Sequence, residues 1–127
     1  MKETMPPHIK RFILTSIDSV PHLEAILLLR ADPQIGWTAK EIAQNLFVAE
    51  KKACELLEDL AKAGFASAKE EALYFYDPAS PKLKDMVDEL AELYPRNLIE
   101  ITNLIHSNIS KQAQKFGDAF KWQGEED

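Results

Sequence analysis

One cysteine, four glycines and no apolar run as long as the ~18 residues of a membrane span set the first limits on this chain. Cys54 alone excludes a disulfide within the chain and suits a reducing compartment. Glycine is too scarce and too scattered for a loop that cradles phosphate. His8, His22 and His106 lie far apart, none with Cys, Asp or His at ligand spacing, so no metal or other cofactor is expected. No nucleophile, base and orienting group come together either, which speaks against catalysis. Basic residues are outnumbered as well: 15 Lys and Arg against 21 Asp and Glu leave a net charge of −6. No segment is strongly basic, so general binding of polyanions is not expected.

The rest is the composition of an ordinary globular chain, 46% apolar and 28% charged. Its 127 residues suffice for one domain with a real core and an extra helix or two. The opening MKETMPPHIKRF has charges and prolines where a signal peptide needs an apolar stretch. The cytoplasm is the expected compartment.

Residues 1–6 read as a disordered terminus. Pro7 opens a short helix carrying Ile9, Phe12, Ile13 and Ile17. Ser19 caps a second helix whose run Ile26-Leu27-Leu28-Leu29 is apolar on nearly all sides, the pattern of a buried central helix. Thr38-Ala39-Lys40-Glu41 is a capping box, in which the hydroxyl and the carboxylate each satisfy an orphan backbone N–H. The helix it opens aligns Ile42, Ala43 and Leu46. Phe47-Val48 is a turn, and Ala49 to Ala63 is the next helix, with Ala53, Leu57, Leu60 and Ala61 inward. Gly64 closes it at the C′ position and Phe65 packs back beneath. The period then changes to two: Phe65 to Ala68 and Ala72 to Tyr76 read as strands around Lys69-Glu70-Glu71. The aromatics Tyr74, Phe75 and Tyr76 fit core and edge packing better than a platform for stacked bases. Ser80-Pro81 opens a helix with Leu83, Met86, Val87, Leu90 and Leu93 inward and Asp85, Asp88, Glu89 and Glu92 on a solvated face. Pro95 disfavours a helical Tyr94 and breaks or kinks the chain there.

Residues 38–78 resemble the winged helix-turn-helix superfamily, including MarR-like bacterial transcription regulators. The resemblance is carried by the Thr38 cap, Leu46, Leu57, Leu60, Gly64, Phe65 and the hairpin that follows. It implies a mostly α fold, a winged helix-turn-helix over 7–94 with a small β-hairpin wing and extra N- and C-terminal helices. It also implies a DNA-binding transcriptional regulator, without catalysis, that reads double-stranded DNA with the helix from Ala49 to Ala63. Carried onto this chain, Lys51 and Lys52 would touch phosphate, Glu50 and Glu55 would face bases, and Lys69 would add a wing contact. The chain departs from the pattern at three places. Phe47 stands where the turn usually has glycine. Ala49 replaces the usual Ser or Thr cap, a loss of about 1 kcal/mol. The first turns of the recognition helix offer no Arg, Asn or Gln. The alternative function is a winged-helix adaptor that binds protein and not DNA. Cys54, near Lys51 and a helix N-terminus, has the setting of a lowered thiol pKa, but with no second cysteine to resolve a sulfenic acid it reads as a small tolerated residue and not as a redox sensor.

Residues 95–122 form the C-terminal extension, and 123–127 an acidic tail. Leu98, Ile101, Ile105, Ile109, Ala113, Phe116 and Phe120 repeat at helical spacing, with a possible break between Ser107 and Ser110. One continuous helix of 23 residues would span roughly 35 Å, more than a small domain can cover. Leu98, Ile101, Ile105, Ile109, Phe116 and Phe120 are therefore expected to pack against a second copy in a homodimer. The alternative is folding back onto the chain's own first helix. The amphipathic end, Lys115 to Trp122, is followed by acids that anionic lipid would repel, so no membrane contact is expected. A DNA reader should show a basic stripe, and an adaptor should leave an apolar patch exposed.

Overall fold

A computed structural model describes residues 5–70 and 72–107. Helices α1 (Pro7–Ser16), α2 (Val20–Ala31), α3 (Ala39–Leu46) and α4 (Glu50–Lys62) come first. The strands β1 (Ala66–Lys69) and β2 (Leu73–Tyr76) follow, then α5 (Pro81–Leu93) and a 3₁₀ turn, Tyr94–Arg96. A further helix, α6, is described over 98–107. The result is mostly α, a helix-turn-helix with a two-stranded antiparallel wing and additional helices before and after it.

The helix ends form where local chemistry places them. Ser19 Oγ accepts from the His22 N–H at 3.2 Å, and Ser80 Oγ from the Leu83 N–H at 3.1 Å. Both halves of the Thr38–Glu41 capping box are present, at 3.2 and 3.0 Å. α4 starts from Ala49 without a side-chain cap. At its other end Gly64 adopts φ +89°. There the Phe65 N–H reaches the Leu60 carbonyl at 2.9 Å and the Gly64 N–H the Ala61 carbonyl at 3.2 Å, the paired bonds of a Schellman motif. The hairpin pairs Ala66 with Tyr76 and Lys69 with Leu73. Trp37 adds a one-residue bridge to Tyr74, with N–H···O bonds of 2.9 Å in both directions. That bridge ties the entry of α3 to the wing. Gly36 beside it is needed for space, since a Cβ there would lie 2.6 Å from the Phe75 ring.

α1 and α2 meet at 107°, and α1 buries Ile9, Phe12 and Ile13. Phe12 meets Phe65 edge to face, 6.2 Å between centroids, which joins α1 to the segment after α4. Three bridges hold the layers at the rim. Arg30 Nε meets Asp88 Oδ1 at 2.9 Å between α2 and α5, His8 meets Glu89 at 2.9 Å between α1 and α5, and Lys10 meets Glu100 at 3.7 Å between α1 and α6. Lys84 and Arg30 together hold the Asp88 carboxyl below its ordinary range. Among the described residues, no single helix is long and apolar enough to cross a membrane.

Several expectations need correction. Met5 is buried in the core and Pro6 accepts from the N–H groups of Ile9 and Lys10, so these two residues of the stretch read as disordered belong to the fold. A flexible thioether fills core space that the short α1 leaves. Ile101 and Ile105 are fully buried in the chain's own core, so the domain does not end at residue 94. That part of the C-terminal stripe folds back along α1, the alternative to a dimer seam. Leu98 stays half exposed, and Ile109, Phe116 and Phe120 lie outside the described residues. α5 does end at Leu93, as Pro95 predicts, but Tyr94 itself keeps helical angles (φ −55°, ψ −51°). The chain tightens there to a 3₁₀ turn, closed by the Asn97 N–H donating to the Tyr94 carbonyl at 3.2 Å. α2 is not fully buried all round, because Leu27 and Leu28 are only half-buried against the core. α4 buries Leu56 completely, while Ala61 is only half buried.

Candidate functional site

The first turns of α4 hold Glu50, Lys51, Lys52 and Glu55 together, all exposed. Ala53, Leu56, Leu57 and Leu60 turn the opposite face into the core. The outermost line of the helix reads Lys51, Glu55, Glu58, Lys62, at helical spacing and with both signs. Counting Glu50, Lys52 and Asp59 as well, the exposed side of α4 bears four acids and three bases. It is not a basic stripe.

Lys69 does not join this group. It sits on β1 with Nζ 5.4 Å from the centroid of the Phe75 ring, a cation–π contact on the outer face of the wing. Glu70 beyond it turns through φ 41° and Ala72 through φ 71°, and Glu71 lies outside the described residues. Phe75 faces this side, while Tyr76 turns inward and is buried. Burial pushes the Tyr76 hydroxyl up to about 12, and its oxygen has no hydrogen-bond partner among the described residues.

Cys54 corrects a further expectation. Its thiol is exposed and donates to Glu58 Oε1 at 3.5 Å. That bond, with the nearby charges of Glu58, Glu50 and Glu55, pushes the thiol pKa up, not down. A carboxylate one helical turn away outweighs Lys51 and the helix dipole, so the thiolate that redox sensing needs is disfavoured. His22 also has a structural role. Ser19 Oγ lies on its Nδ1 and Asp59 Oδ2 on its Nε2 at 2.9 Å, fastening the start of α2 to the outer side of α4. Among the described residues, no three His, Cys, Asp or Glu side chains gather to hold a metal.

A further feature lies at the turn between α3 and α4. Phe47 is left-handed, φ 58° and ψ 45°, and its ring is 93% exposed. A non-glycine residue in that region costs about 1–2 kcal/mol, and the exposed ring gains no burial in return. Its chain neighbour Leu46 lines an open groove of about 290 Å³ together with Glu24, Leu27, Leu28, Asn45 and Tyr94. Burial raises the Tyr94 hydroxyl pKa, helped by the charge of Glu24. α2 supplies the two leucines, α3 supplies Leu46, and the 3₁₀ turn supplies Tyr94. No known protein family and no curated protein matches the chain. What it does must therefore be argued from this surface. Phe47 was visible in the sequence as an aromatic in glycine's usual place, and Leu27-Leu28 as more apolar surface than one helix face requires.

Proposed function

We propose that this winged-helix domain is a non-catalytic, cytoplasmic protein-interaction module. Its contact surface is Phe47 with the neighbouring groove of Leu27, Leu28, Leu46 and Tyr94. The observation that carries this reading is Phe47 itself, an almost fully exposed aromatic held in a strained backbone conformation. Strain of this kind is retained at contact sites, where a knob that costs stability in the free chain is covered on binding. The mixed signs on α4 support the same reading, because a duplex would meet four carboxylates there along with three ammonium groups. Lys69, engaged over Phe75, is a poor candidate for a minor-groove contact.

The second reading is a DNA-binding transcription regulator, a homodimer gripping phosphate through Lys51 and Lys52. Both lysines are exposed in the first turn of α4, which is what favours it. Fluorescence anisotropy of labelled duplex DNA at two salt concentrations separates the two. The protein-interaction reading expects no saturable binding at tens of micromolar protein in low salt. Binding that falls steeply with salt, and that the double variant Lys51→Ala/Lys52→Ala flattens, would overturn it in favour of the regulator.

A further inference from the structure

The groove of Leu27, Leu28, Leu46 and Tyr94 is an open trough, a shape that receives a passing segment of chain with spaced apolar anchors. Its lining holds one acid, Glu24, and no base, and the Glu24 charge reaches the Tyr94 hydroxyl. An occupant that fits is apolar along one side and positively charged. The chain itself carries such a segment. Residues 110–122 present Ala113, Phe116 and Phe120 at helical spacing, with three lysines against one aspartate, a charge of +2. Residues 1–107 hold 12 Lys and Arg against 17 Asp and Glu, a charge of −5. The two parts of the chain therefore attract, where two whole chains of charge −6 repel.

The place where the segment begins suits the groove as well. α6 runs from 98 to 107, about 15 Å, and starts four residues after Tyr94. The 13 residues from Asn108 to Phe120 cover about 20 Å at helical rise and roughly 45 Å fully extended, so at either limit they reach back past α6 to Tyr94. The return passes the start of α6, where Leu98 and Ile99 stand 50% and 76% exposed. We propose that residues 110–122 dock on this groove of their own chain, Phe116 and Phe120 against Leu27, Leu28 and Leu46, and cover the contact surface until a partner displaces them. This rests on the protein-interaction reading and supplies its regulation. A short tether holds the segment at an effective concentration in the millimolar range, so a small buried area suffices. Used within the chain, the C-terminal stripe no longer serves as a seam between two copies.

Methyl NMR on the full-length chain tests it, with the double variant Phe116→Ser/Phe120→Ser and a mixed labelled and unlabelled sample. Docking within the chain expects NOEs from the Phe116 and Phe120 rings to the methyls of Leu27, Leu28 and Leu46, unchanged on tenfold dilution. The double variant should shift those methyl signals and at least double their relaxation by a soluble gadolinium chelate, while the buried Ile9 and Ile13 methyls stay in place. Absent NOEs, or groove methyls indifferent to the double variant, refute the docking. NOEs that arise only between labelled and unlabelled chains also refute it and put the segment on a second copy. The reading beneath it fails separately, by the salt-dependent DNA binding described above.

Discussion

Replacing Phe47 by glycine should make the isolated fold more stable, although a large aromatic is lost. The ring is 93% exposed, so its removal forfeits almost no buried surface. The bonds that close α3, from the N–H groups of Phe47 and Val48 to the Ala43 carbonyl, are backbone bonds and survive. What changes is the backbone term. A residue with a Cβ at φ 58° costs about 1–2 kcal/mol, and glycine gives back roughly 0.5–1 kcal/mol through its freer unfolded chain. The balance is a gain of about 0.5–1 kcal/mol. Urea unfolding, at chain concentrations too low for self-association, should show the midpoint rising by roughly 0.5–1 M. Phe47→Ala is the control: it removes the ring but keeps the Cβ, and should stay within about 0.5 kcal/mol of wild type. A loss of more than about 1 kcal/mol in Phe47→Ala would refute the reasoning, because the ring would then be buried within a single chain.

Two further outcomes follow from buried polar groups. The Tyr76 hydroxyl is buried without a partner among the described residues, so Tyr76→Phe should leave stability at neutral pH unchanged or raised, read from the same unfolding curves. Because its folded pKa of about 12 lies above the ordinary tyrosine value, this group favours the folded state below about pH 10. That contribution is lost as pH rises toward 12, and Tyr76→Phe should flatten the alkaline fall. Asp59→Ala should cost about 1 kcal/mol in a thermal melt, since it strips the nearly buried His22 of a 2.9 Å partner that is itself half exposed.

Where the determinants are local, the fold could be read from the residues. The Thr38–Glu41 box, the Ser19 and Ser80 caps and the left-handed Gly64 each involve groups within a few residues of one another. They form as the side-chain chemistry predicts. Reading failed where distant segments decide. The Trp37–Tyr74 bridge is one residue long and has no period to betray it. Ile101 and Ile105 look the same in sequence whether they face α1 or a second chain. The contact surface was half legible, since Phe47 announced itself by replacing glycine. Its exposure depends on how α3 and α4 pack, and the groove draws on three segments spread from Glu24 to Tyr94. Cys54 was misread because Glu58, one turn further along the helix, was left out of the balance.

The most direct measurement places a photoreactive group at the knob: Phe47→benzoylphenylalanine, irradiated in the purified chain with an excess of duplex DNA present. The account predicts that the duplex stays free of adducts, because the Phe47 face meets protein and not DNA. Saturable adducts between Phe47→benzoylphenylalanine and the duplex, lost on adding salt, would contradict it.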